Sequence, residues 1–196
     1  MSQRKESRKQ MSESTNERLV QVAGGHVGGA ANHRGSSEQT VCTPQDLIGA
    51  VENRFGAITF DLAASDADDA LANQFFTPDD DSLSPRTRWP ASGVLWLNPP
   101  FGNVEPWVQR CARWVTDGSG LLCPAPDSLL LLLVPASVDS NWWMRHVAGH
   151  ARVLALNPRV KFKGHAQGFP KPLALCVYDP RFHTQPALVE PWRWKK

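Results

Sequence analysis

In a chain of 196 residues, the densest chemistry lies in Leu95-Trp96-Leu97-Asn98-Pro99-Pro100-Phe101. Each proline fixes its own φ and pushes the residue before it out of the helical region. Asn98 is therefore presented at the carboxyl end of an apolar run, Val94 to Leu97, that reads as a buried strand. There its side-chain oxygen and a neighbouring prolyl carbonyl can both accept from one amino group, because proline keeps its C=O while lacking an N–H. Phe101 adds a flat face for stacking. An amine gripped by two acceptors beside a stacking ring describes methylation of the amino group of a nucleobase.

The electronics supply the mechanism. The amino lone pair of adenine is delocalised into the ring, which makes the nitrogen a poor nucleophile. Two acceptors aimed at its hydrogens favour a more pyramidal nitrogen, able to attack the methyl of a sulfonium donor in line. Asn98 is neutral and a feeble base, so its role is positioning and electrostatic stabilisation, with the proton leaving after the methyl arrives. In a duplex the base must first be flipped out, and Phe101 would offset part of the lost stacking. The bland alternative is a strand ending in an Asn-Pro turn. With Pro near 5% of residues, such a tetrapeptide arises by chance in roughly one chain in a thousand of this length, which favours the functional reading.

The elements that position these residues can be followed along the chain. Thr43 is a good N-cap and Pro44 a good first helical residue, and Leu47, Ile48, Val51 and Phe55 recur at helical spacing until Gly56. Ile58 to Leu62 reads as a short strand leading into Asp61-Leu62-Ala63-Ala64-Ser65. Its small residues let a ligand approach the backbone, and its carboxylate sits where doubly wound sheets bind ligands. An Asp at a strand end is equally a turn residue. Two acidic clusters occupy Asp66 to Asp81, but their spacing does not match a calcium loop, so no metal site is expected. One of these carboxylates, with Asp81 preferred, could accept from the amino or ribose groups of a nucleoside.

After the Asn98 strand, Val104, Trp107, Val108, Cys111, Ala112 and Val115 outline an amphipathic helix with Pro106 in its first turn. Thr116 to Ser128 reads as a loop, and Leu129 to Val134 as a central strand covered on both faces. Ser140 would cap a short helix, and Val153 to Leu156 and Leu173 to Tyr178 read as further strands. Between those two strands, Arg159, Lys161, Lys163 and Lys171 bring positive charge to a glycine-containing connection, as phosphate contacts require. The competing reading is an edge hairpin whose lysines discourage edge pairing.

Composition bounds the class. The length fits one domain with a real core, and the formal net charge of +2 leaves any basic patch to be local. Cys42, Cys111, Cys123 and Cys176 are scattered, which argues against a zinc site or a disulfide framework. The longest apolar run, Leu129 to Ala136, falls well short of the ~20 residues a bilayer span needs. The charged residues at the amino terminus have no apolar segment behind them, unlike a secretory signal. Residues 1–40 are poor in large apolar residues and read as a disordered arm. Residues 41–180 then form the catalytic domain and 181–196 a basic tail carrying Trp192 and Trp194.

In this order the pieces resemble the phage-type DNA N6-adenine methyltransferases, the Dam-like family. The resemblance runs from Thr43 to Tyr178 through Phe60-Asp61-Leu62-Ala63-Ala64-Ser65, Asn73 to Thr77, Asp81-Ser82-Leu83 with Trp89, and Asn98-Pro99-Pro100-Phe101. It continues through Leu133-Val134-Pro135-Ala136, Trp142-Trp143 and Arg159-Val160-Lys161-Phe162. It implies an α/β, Rossmann-like methyltransferase fold, a single domain with a mostly parallel central sheet. It also implies S-adenosylmethionine as donor, no metal, double-stranded DNA as partner without an obligatory protein partner, and a cytoplasmic place in a bacterial host with a phage or prophage origin. Protection of phage DNA from restriction is a role it implies. Carried over by position, Thr43 and Pro44 would hold the methionine end, Asp61, Ala63 and Ala64 would line the cofactor, and Asp81 would sit near its adenosine. Asn98, Pro99, Pro100 and Phe101 would hold the target base. Ala-Ala-Ser replaces the glycine-rich turn of larger relatives, and Phe101 stands where many have Tyr.

Two other readings stay open. The same tetrapeptide serves methylation of cytosine N4 and of a protein glutamine amide, since each presents an amine conjugated to a π-system. The third is an inactive DNA- or cofactor-binding relative. No separate target-recognition domain is available, so the Thr116 to Ser128 and Lys163 to Lys171 loops are the candidates for sequence readout.

Overall fold

The computed structural model describes residues 42–116, 124–163, 167–181 and 189–195, all within the unit Ser36–Lys196. Helix α1 spans Gln45–Phe55 and ends on Gly56, whose φ of 97° suits a residue without a Cβ. Its apolar stripe buries Leu47, Ile48 and Val51. Pro44 is the N-cap, and its carbonyl accepts from the Leu47 and Ile48 amides. Thr43, expected to cap the helix, lies one residue before that cap, and its hydroxyl accepts from the Asn98 amide instead.

Strands β1 (Ile58–Asp61), β2 (Val94–Leu97) and β3 (Leu129–Pro135) run parallel. Helix α2 (Glu105–Thr116) joins β2 to β3, and α3 (Asn141–His146) follows β3. The Ser140 hydroxyl accepts from the Trp143 amide and caps α3 as expected. Three strands complete the sheet: β4 (Arg152–Asn157), β5 (Leu173–Tyr178) and β6 (Val189–Arg193). The order is β1-β2-β3-β5-β4-β6. β5 is antiparallel to both neighbours and β6 is parallel to β4, so five strands share one direction and β5 alone is reversed. The sheet is mixed and mostly parallel.

Side-chain alternation divides the core into two layers. Leu95, Leu97, Leu130, Leu132, Val134, Cys176 and Tyr178 face α2 and α3. Trp96, Leu131, Leu133, Leu175 and Val177 face α1. β3 is therefore buried on both faces, as its unbroken apolar run requires. The Tyr178 hydroxyl donates to the His146 carbonyl and ties β5 to the end of α3. Ahead of β2, Gly93 holds a φ of 95°, and a Cβ there would lie 2.2 Å from Thr59 Oγ1. That close approach lets β1 and β2 pair at their amino ends.

The segment read as a basic tail contains β6, and Trp194 beyond it is buried. The Trp194 amide and indole N–H donate to the Asn157 and Pro158 carbonyls. Residues 1–40, read as an arm, lie outside the described residues. No helix among those described is long and apolar enough to cross a membrane.

Candidate active site

The carboxyl ends of β1 and β2 open onto a cavity of about 420 Å³. Asn98, the first residue past β2, lines it together with Pro99, Pro100 and Phe101. The Asn98 amide nitrogen donates to Thr43 Oγ1 at 3.2 Å. In this orientation the amide nitrogen faces Thr43. The contact also brings the segment before α1 onto the loop after β2.

From β1, Asp61, Ala63 and Ala64 reach the same cavity. Asp61 is 4% exposed. Its carboxylate accepts from the Ala63 amide at 3.1 Å and the Leu71 amide at 3.2 Å. Burial pushes the Asp61 carboxyl upward, and the two backbone N–H groups pull it back. The carboxylate thus shapes the 61–71 loop from within. The loop is pinned on its other side by Ala64 N donating to the Phe76 carbonyl and Phe76 N donating to the Asp61 carbonyl.

Asp81 lines the cavity from the loop after a 3₁₀ turn, Pro78–Asp80. Of the ten residues expected to hold base and cofactor, nine line this one space; Pro44 does not, being occupied as the α1 cap. Ser65 and Asp69, from the small-residue turn and the acidic clusters read in the sequence, also line it, and so do Cys42, Trp107 and Phe162, which were not singled out as site residues. Asp69 accepts from the Ser65 hydroxyl at 3.0 Å. Hydrogen bonds from Cys42 and Ser65 hold the Asp69 carboxyl below its ordinary value, and the same contact raises the Cys42 thiol. These pairings join positions 27 and 4 residues apart across a loop, which no local periodicity announces.

Phe101 packs edge-on against Phe169, with ring centroids 5.4 Å apart, and against Phe162 at 6.3 Å. Phe162 and Phe169 meet at 5.6 Å. These partners come from the β4–β5 connection. The reversal of β5 explains why: β2 and β4 finish at the same end of the sheet, and β5 must start from that end to run back. The connection therefore turns over beside the cavity. Along its first arm, Arg159, Lys161 and Lys163 are exposed while Val160 and Phe162 are buried. Lys171, on the second arm, is also exposed. The arms are joined by Phe169 N donating to the Val160 carbonyl and Arg159 Nη1 donating to the Pro170 carbonyl. The field of Lys163 reaches Asp69 and Cys42 in the cavity wall. The other loop expected to read sequence falls mainly on residues 117–123, outside the described residues.

No solved structure matches the chain. A DNA N-6-adenine-methyltransferase of Escherichia phage T1 is 26% identical over 88 residues, covering 44% of this chain and 36% of that protein. The chain thus spans little more than a third of that relative's length. A wider match takes in the cavity, the Asn98 loop and the basic connection together: residues 31–171 fit the model of the DNA N-6-adenine-methyltransferase (Dam) family, and the chain belongs to that family.

Proposed function

We propose that this protein transfers a methyl group from S-adenosylmethionine to the exocyclic N6 of a flipped adenine in a short DNA site, on a Rossmann-like methyltransferase fold. The reading is supported above all by the convergence in one cavity of the Asn98-Pro99-Pro100-Phe101 loop with Asp61, Ala63, Ala64 and Asp81. Family membership supports it independently.

The lining fits such a donor. Its volume lies within the roughly 300–1,000 Å³ of small-molecule sites. Ala63 and Ala64 keep the wall shallow, Trp107 supplies apolar surface for a purine, and Asp69 and Asp81 supply acceptors for hydroxyl and ammonium groups. Bound there, S-adenosylmethionine would supply an electrophilic methyl on a sulfonium. Asn98 would accept from the adenine amino group and hold its lone pair toward that methyl, with a prolyl carbonyl of Pro99 or Pro100 as second acceptor. Thr43 would keep the amide from turning over. Phe101, held on edge by Phe162 and Phe169, would stack on the base. Arg159, Lys161, Lys163 and Lys171 would contact phosphates flanking it.

The test is transfer of labelled methyl from S-adenosylmethionine to DNA lacking adenine methylation, followed by digestion to nucleosides. Label is expected in N6-methyl-2′-deoxyadenosine, with Asn98→Ala lowering turnover by on the order of 10²–10³. Label in N4-methylcytosine, or no label despite donor binding and an intact fold, would overturn the assignment.

A further inference from the structure

Asp81 is the only non-glycine among the described residues with a positive φ: 45°, with ψ 68°. L-residues hold that conformation at a cost, Asp more readily than most, and only where the surroundings enforce it. The enforcement can be traced. Thr87 Oγ1 lies 3.0 Å from the Asp80 carbonyl and 2.9 Å from the Asp81 carbonyl, a donor shared between them. The Trp89 indole N–H, in a buried position, donates to the Ser82 carbonyl at 2.9 Å and reaches Ser82 Oγ at 3.0 Å. Arg110 closes the assembly from α2. One guanidinium nitrogen donates to the Ser84 carbonyl at 2.8 Å and the other to the Thr87 carbonyl, while its Cζ lies 4.8 Å from the centre of the Trp89 ring.

Two carbonyls and an indole face thus converge on one guanidinium, whose planar fork suits this better than an ammonium. Arg110 is half-buried, and burial lowers its pKa while the nearby Asp81 carboxylate works the other way. Gly takes that conformation without steric cost, so what Asp81 adds over Gly at this position is a carboxylate at the cavity wall. Backbone strain at a ligand-facing position is the pattern of a held contact.

We infer that Arg110 is a positioning residue for the methyl donor: it clamps the 81–89 loop so that the Asp81 carboxylate meets the hydroxyl or amino groups of the donor's nucleoside. This role rests on the methyltransferase reading.

The experiment is titration calorimetry of the full chain with S-adenosylmethionine and with S-adenosylhomocysteine, with melting temperatures measured alongside. Asp81→Asn keeps a residue tolerant of positive φ and is expected to weaken both ligands about ten- to a hundredfold at a near-native melting temperature. Asp81→Gly is expected to lose affinity equally while the melting temperature holds or rises, because the strain is gone. Arg110→Lys is expected to weaken both ligands severalfold, yet to cost no further affinity in the Asp81→Asn background. The role is overturned if Arg110→Lys costs the same factor in both backgrounds, or if the two Asp81 variants bind like the parent. A parent protein that binds neither ligand would remove the methyl-donor reading, and this role with it.

Discussion

Asn98 owes its backbone setting to the two prolines that follow it and its side-chain setting to Thr43, 55 residues earlier in the chain. The first relation is local and legible: Asn-Pro-Pro-Phe states its own geometry. The second is tertiary. Thr43 before Pro44 has the composition of a helix start, but Pro44 is the cap, and the hydroxyl left over is spent on the Asn98 amide. A hydrogen bond of this kind contributes about 0.5–1.5 kcal/mol, so Thr43→Val is expected to lower kcat up to about tenfold. Its KM for DNA should hold, and Thr43→Ser should keep the parent rate. Steady-state methylation assays check this, and an unchanged kcat in Thr43→Val would show that the amide is oriented by other means. Asp61 illustrates the converse case: its place at a strand end was legible, but the two amides that consume its oxygens were not, because Leu71 reaches it only through the fold of the intervening loop.

At the scale of elements, the strongest periodicities translated directly. The unbroken Leu129–Val134 run became a strand buried on both faces, and the 3.6-residue pattern after Phe101 became α2. β6 escaped because nothing in Val189-Glu190-Pro191-Trp192-Arg193 resembles a core strand. It lies at the sheet edge, pairing only with β4, where proline is tolerated. Its hold on the sheet comes from aromatic anchors. Trp192 packs edge-on with Phe55, with Arg54 5.0 Å above its ring, and Trp194 is sealed against the β4 end. The Arg152–Glu190 ion pair is partly exposed and adds little. Trp194→Ala is therefore expected to cost about 3–5 kcal/mol, read as a melting temperature lower by on the order of 10 °C. Calorimetry that found a loss of only a degree or two would mean that β6 is held by its ladder alone.

Across the whole molecule, the near-neutral charge hides an uneven distribution. The exposed cations of the β4–β5 connection stand beside the cavity, and the carboxylates Asp61, Asp69 and Asp81 stand within its wall. Replacing Lys161, Lys163 and Lys171 together by Gln is expected to flatten the plot of log K against log salt for duplex DNA by about 0.9 for each phosphate no longer neutralised. Donor affinity should change far less. Anisotropy titrations over a range of salt concentrations provide the measurement, and an unaltered slope would place the phosphate-binding cations elsewhere. The lysines themselves were legible in the sequence; the nearness of Lys163 to the cavity wall was not, since a strand's residues do not declare its direction.

The reversal of β5 also bears on how such a protein can change over time. The arms of the β4–β5 connection begin and end on hydrogen-bonded neighbours in the sheet, so the span to be bridged is the same whatever lies between. Each doubling of a flexible loop's length costs only about 0.6 kcal/mol in closure entropy. Insertions and exchanges there leave β1, β2 and the Asn98 amide untouched. On the proposed function, such exchanges would alter what the protein reads in DNA while the Asn98 loop stays fixed, provided that Phe162 and Phe169, which hold Phe101, are kept.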